Sequence, residues 1–153
     1  MYFEEFSVGD KFTSAGVTFT ESEIIRFALQ YDPQPFHIDV EAAKKSQFKG
    51  LIASGFQTLA LVFRMYIQEG MLKQGMGSPG MDELRWLRPV YPNDTLHMIA
   101  EVLSARPSSK KSDRGYVDLK CSMINQNDET VMTVRVMQII RRRDCQSSER
   151  STA

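Results

Sequence analysis

Asp32 and His37 sit five positions apart in the segment Tyr31-Asp32-Pro33-Gln34-Pro35-Phe36-His37-Ile38-Asp39. A carboxylate and an imidazole that share one water work as general base and general acid near neutral pH. Drawn out straight, the chain would hold the two roughly 17 Å apart, so they share a substrate only if the connector bends. Pro33 and Pro35 favour that bend, because each fixes its own φ and pushes the preceding residue out of the α region. A second feature is Gly50-Leu51-Ile52-Ala53-Ser54-Gly55-Phe56, which leads into an apolar helical pattern. A glycine at a helix start presents an open N–H along the positive end of the helix dipole. Such a donor suits a developing oxyanion, for example the enolate of a thioester carbonyl. Asp32, His37 and the Gly55 N–H are together a complete set for proton chemistry beside a carbonyl.

Each piece also has a plainer reading. Asp-Pro is a common turn pair, His37 can simply pack beside Phe36, and Gly55 can be a helix-start glycine and nothing more. His37-Ile38-Asp39 would be short of partners as metal ligands, since the chain has two histidines and two cysteines. No metal and no cofactor is expected. Ser54 lacks the Gly-x-Ser-x-Gly context of an acyl-enzyme nucleophile. His97 shares a strand pattern with Glu101 and reads as a surface or edge residue. Cys121 falls in an apolar alternation and reads as a buried small residue, while Cys145 lies in a polar stretch.

Four kinds of local signal say which elements must position these groups. Thr20-Glu21-Ser22-Glu23 is a capping box, and Ile24, Phe27, Ala28 and Tyr31 follow it at helical spacing. That helix ends at Asp32-Pro33, and Pro33 to His37 is expected to be non-helical. Asp39 can cap a short helix containing Ala42, Ala43, Lys44 and Lys45. From Phe56 to Glu69 the pattern is apolar nearly all round, with Phe56, Leu59, Ala60, Phe63 and Tyr66 on one face, so this is the core helix. Beyond Gly80 the period changes to two. Strands are expected at Leu84 to Arg88, Leu96 to Val102, Val117 to Met123 and Val131 to Ile140, with the last two forming a hairpin. An N-terminal strand near Phe6 to Phe12 makes about five. The fold class is α+β, an antiparallel sheet wrapped around one long buried helix.

Composition narrows the function further. The chain has 153 residues, 42% of them hydrophobic, with 19 basic and 19 acidic side chains. A zero balance gives no electrostatic reason to bind nucleic acid or an anionic membrane. The longest apolar stretch, Leu59 to Ile67, is interrupted by Arg64 and is too short to span a bilayer. Met1-Tyr2-Phe3-Glu4-Glu5 carries acids where a secretory signal needs positive charge, which points to the cytoplasm. A neutral chain with nine Met and nine Phe tends to associate, so a homodimer or an assembly of dimers is expected. Residues 1–143 read as one domain and 144–153 as a flexible polar tail.

The run from Phe27 to Asp39, then Ala42-Ala43, then Gly50-Leu51-Ile52-Ala53-Ser54-Gly55, resembles the MaoC-like dehydratases. The later Arg88-Pro89-Val90-Tyr91-Pro92-Asn93-Asp94-Thr95-Leu96 resembles that family's turn before a long strand. The resemblance implies a hot-dog fold and a role in fatty-acid metabolism as an (R)-specific enoyl-CoA hydratase or 3-hydroxyacyl-CoA dehydratase. It implies that Asp32 and His37 activate one water, that the Gly55 N–H holds the thioester oxygen, and that an acyl-CoA thioester is the substrate. Gln34, Ile52, Ser54 and Phe56 are the expected substrate-binding residues. Gln34 stands where the family usually has Asn, Ser54 where many hydratases have His, and Ala60 near a position where some carry Ser. Lys44, Lys49 and Arg88 are candidates to meet CoA phosphates, with solvated surface charge as the plainer reading. Two rival functions are a hot-dog acyl-CoA thioesterase and a non-catalytic acyl-thioester binder. The absence of Asp and Glu from Phe56 to Gln68 speaks against the thioesterase.

Overall fold

A computed structural model describes residues 1–143; the expected tail, 144–153, lies outside the described residues. The capping box opens helix α1 (Glu21–Tyr31), where the Thr20 hydroxyl accepts the Glu23 N–H at 3.2 Å. Ile24 and Ala28 bury the inner stripe, while Tyr31, placed on the same stripe by its spacing, is 70% exposed. The connector is partly helical, contrary to expectation: α2 (Pro35–Ile38) is a single turn. Pro35 occupies its first position, where a fixed φ fits the helix and a missing N–H costs nothing. Asp39 caps α3 (Val40–Lys45), its carboxylate accepting the Glu41 and Ala42 N–H groups at 2.9 and 3.0 Å.

The core helix is α4 (Gly55–Gln68). Leu61, Val62, Met65 and Tyr66 are buried in one cluster with Met98, Leu119, Cys121, Met132 and Val134 of the sheet. The face that meets the sheet is therefore only partly the one marked by Phe56, Leu59, Ala60, Phe63 and Tyr66: Tyr66 is buried and Leu59 and Phe63 pack against the core, whereas Phe56 and Ala60 are exposed. Phe56 and Ile67 are 55% and 65% exposed in the single chain, so α4 keeps an open apolar side.

Six strands form the sheet, in the order β1-β4-β5-β6-β3 with β2 also beside β4. The extra strand arises at the N-terminus. There the chain turns at Ser7 to Asp10, with Gly9 at φ +91° and the Asp10 carboxylate accepting the Ser7 N–H at 2.8 Å. Only then do two short strands form, β1 (Lys11–Thr13) and β2 (Val17–Thr18), both antiparallel to β4 (Thr95–Pro107). β3 (Gly80–Trp86) starts earlier and ends sooner than expected, with a register shift between Asp82 and Arg85 and Glu83 at φ +53°. β5 (Arg114–Ile124) and β6 (Thr130–Arg141) are the expected hairpin. Leu96, Met98, Ala100 and Val102 point inward from β4, as their alternation predicts. His97 points outward from β4, which is an interior strand and not an edge. Among the described residues no helix is long and apolar enough to cross a membrane.

Candidate active site

The bent connector brings the two predicted groups together. His37 Nε2 lies 3.3 Å from Asp32 Oδ2, with side chains only 6% and 14% exposed. His37 Nδ1 is 2.7 Å from the Ile52 carbonyl oxygen. A carbonyl only accepts, so Nδ1 keeps its proton and Nε2 is the nitrogen that gains or loses one. Phe36 packs edge-on against the imidazole with ring centroids 4.6 Å apart. His37 is thus both the packed histidine of the plainer reading and the partner of Asp32.

Both Asp32 oxygens hold neutral donors. Gln34 Nε2 donates to Oδ1 at 2.8 Å and Ser54 Oγ donates to Oδ2 at 2.7 Å. Burial pushes the Asp32 carboxyl up, but the Ser54 and Gln34 hydrogen bonds and the His37 charge outweigh it. The net position is below the usual carboxylate value.

The third group comes from the start of α4. Phe56 N–H bonds to Ser54 Oγ at 3.2 Å, and the Gln57 and Thr58 N–H groups bond to the Ser54 carbonyl at 3.0 and 3.3 Å. That leaves the Gly55 N–H as the first-turn donor with no protein partner among the described residues. Trp86 Nε1 donates to the Gly55 carbonyl at 3.0 Å. A Cβ at position 55 would come within 2.4 Å of that indole nitrogen, so only glycine fits beneath Trp86.

Asp32, His37 and Gly55 line one cavity of about 450 Å³, walled largely by apolar groups including Ile52, Phe56, Trp86 and Val131. That volume is in the range of small-molecule sites. Among the other predicted residues, Gln34 lines the cavity while bonding Asp32, and Ile52 is both wall and orienter of His37. Phe56 packs against Trp86 with ring centroids 5.6 Å apart. Ser54 departs from its expected substrate contact: it is fully buried and meets the site through Asp32. Ala60 lines a different hollow, with Gln57 and Arg64. Arg88 borders the cavity and pairs with Glu129 at 3.4 Å, whereas Lys44 is engaged with Glu41 at 2.7 Å and neither Lys44 nor Lys49 is a lining residue. Trp86 and Thr58 line the site without having been picked out from the sequence. Trp86 is the chain's one tryptophan, but nothing local ties it to a glycine 31 residues earlier.

The MaoC like domain family matches residues 5–139. The chain belongs to that family. Uncharacterized protein YdeM of Bacillus subtilis is 36% identical to this MaoC-like chain over 143 residues, covering 93% of it and 100% of the relative. The crystal structure of a MaoC-like dehydratase from Rhodospirillum rubrum superposes with a TM-score of 0.88 at 39% identity, over 94% of this chain and 98% of that one. An (R)-hydratase from Pseudomonas aeruginosa superposes with a TM-score of 0.72 at 27% identity, over 92% and 85% of the two chains. The fold is the α+β hot-dog fold of these MaoC-like proteins and (R)-hydratases, and family and neighbours support a role of the hydratase or dehydratase type.

Proposed function

We propose that this MaoC-like protein is a cytoplasmic hydro-lyase that adds water to trans-2-enoyl-CoA thioesters, giving (R)-3-hydroxyacyl-CoA, or runs the reverse dehydration. The observation that carries this reading is the 3.3 Å contact of Asp32 and His37 inside the cavity that Gly55 also lines, its N–H without a partner among the described residues. One water held between the carboxylate and Nε2 loses a proton to the pair as its oxygen bonds to the β-carbon. The electron pair of the double bond moves toward the thioester oxygen, where the Gly55 N–H and the positive end of α4 meet the growing charge. The pair then returns one proton to the α-carbon, so water is added overall and both residues are restored. The one adjacent pair delivers both hydroxyl and proton, so addition is syn. The apolar walls take the acyl chain.

The same reading takes the working unit as a homodimer, since the open side of α4 at Phe56 and Ile67 and the exposed edge strand β3 need a cover.

The test is direct. Purified protein added to short and medium trans-2-enoyl-CoAs should remove the ultraviolet absorbance of the conjugated thioester. Asp32→Asn and His37→Ala should each abolish that change, with circular dichroism unaltered. Release of free thiol would identify a thioesterase instead, and binding without any turnover would identify a carrier or binder; either result overturns the proposal.

A further inference from the structure

Ser54 has an unusual place for a residue expected at a substrate pocket. It is 0% exposed and caps α4, and its hydroxyl makes two hydrogen bonds. The Phe56 N–H can only donate, so Ser54 Oγ accepts from it at 3.2 Å. The hydroxyl has one proton, and at 2.7 Å that proton goes to Asp32 Oδ2. The polarity of the chain is therefore fixed: Phe56 N–H to Ser54 O–H to Asp32. It runs from the positive end of α4 to the carboxylate, and its members polarise one another through the fully buried Ser54 hydroxyl.

We infer that Ser54 is a positioning residue for the proposed reaction, tying the Asp32 carboxylate to the start of α4 so that the proton acceptor and the Gly55 N–H are held as one unit. The inference rests on the proposed function, because it is that reaction which needs both groups in register. Asp32 comes from the end of α1 and Gly55 from the start of α4, 23 residues later, and Ser54 is the hydrogen-bonded bridge between those two elements. A shift of about 1 Å between such groups is enough to cost a large factor in rate. The groups facing Asp32 are His37 from α2, Gln34 from the connector and Ser54 from the head of α4, with Arg88 as the cation bordering the same cavity.

Three substitutions separate this role from simple helix capping. Ser54→Gly keeps an acceptable cap but removes the donor to Asp32, Ser54→Ala removes both, and Ser54→Thr keeps both. Nuclear magnetic resonance titration of the Asp32 carboxyl should show its midpoint moving up in the Gly and Ala variants and staying low in Thr. If Ser54→Gly fails to fold, Ser54→Cys, of similar shape with a much weaker donor, replaces it. In the enoyl-CoA assay, the Gly variant should lose about tenfold to a hundredfold in kcat with KM within about twofold. The acid limb of its pH profile should move to higher pH, because a carboxylate stripped of a donor protonates more readily. A midpoint that stays put in Ser54→Gly, or that Ser54→Thr does not keep low, overturns the inference and leaves a cap. The titration needs no turnover, so it decides the matter even if the wild-type protein does not hydrate enoyl-CoA.

Discussion

Asp32 and Gly55 show how single residues are held in place by neighbours that do no chemistry of their own. Gln34 and Ser54 occupy one carboxylate oxygen each, and the Ile52 carbonyl accepts a hydrogen bond from His37 Nδ1. Gly55 is held from above by the Trp86 indole, which bonds its carbonyl and covers its Cα. Gly55→Ala should therefore force the indole away and cost about 1–3 kcal/mol, the usual range for overpacking. In a Trp86→Ala background the same change should cost far less, since the clashing ring is gone. Chemical denaturation of the four proteins measures the coupling. Trp86 is the one tryptophan in the chain, so its fluorescence should report the displaced ring in Gly55→Ala directly.

Elements follow local chemistry where that chemistry is strong. The capping box at Thr20 and Glu23 closes as its spacing predicts, and α1 ends where Asp32-Pro33 says it should. Thr20→Ala should cost about 1 kcal/mol, read as a lower midpoint in thermal melting, because the Glu23 N–H loses the hydroxyl that caps it. The connector was legible only in part. Its bend follows from Pro33 and Pro35, but the single turn of α2 does not, since four residues cannot offset the cost of nucleating a helix. Tertiary contacts supply the difference: Ile52 N–H bonds to the Phe36 carbonyl at 3.1 Å, and Phe36 packs on Phe48. The N-terminal strand failed for a converse reason. Val8-Gly9-Asp10 is a turn, which the apolar residues at Phe6 and Phe12 disguise as strand alternation.

For the whole molecule, the decisive fact is that the sheet covers one side of α4 and leaves the other. A helix apolar nearly all round needs cover on both sides, and the described residues leave Phe56 and Ile67 exposed on one of them. In the proposed homodimer, a second copy covers that side. Ile67→Asp should then shift sedimentation from dimer to monomer, by putting a charge where an apolar contact is needed. Wild-type protein that sediments as a monomer at micromolar concentration would remove the dimer from the proposal.

The candidate pair was readable before any coordinates, because its signals act over a few residues: a carboxylate and an imidazole on either side of two prolines, ahead of a glycine that opens an apolar helix. Strand alternation and helix capping were readable for the same reason, being properties of neighbours in the chain. What holds the pair was not readable. Ser54 meets Asp32 across 22 residues and Trp86 meets Gly55 across 31, and no local pattern encodes contacts of that span. Nor could periodicity say which side of α4 the sheet would take, since both sides are apolar and hydrophobic burial has no direction of its own. Packing of the assembled elements made those choices, by fitting Leu61, Val62, Met65 and Tyr66 against the sheet and leaving Phe56 and Ile67 outside.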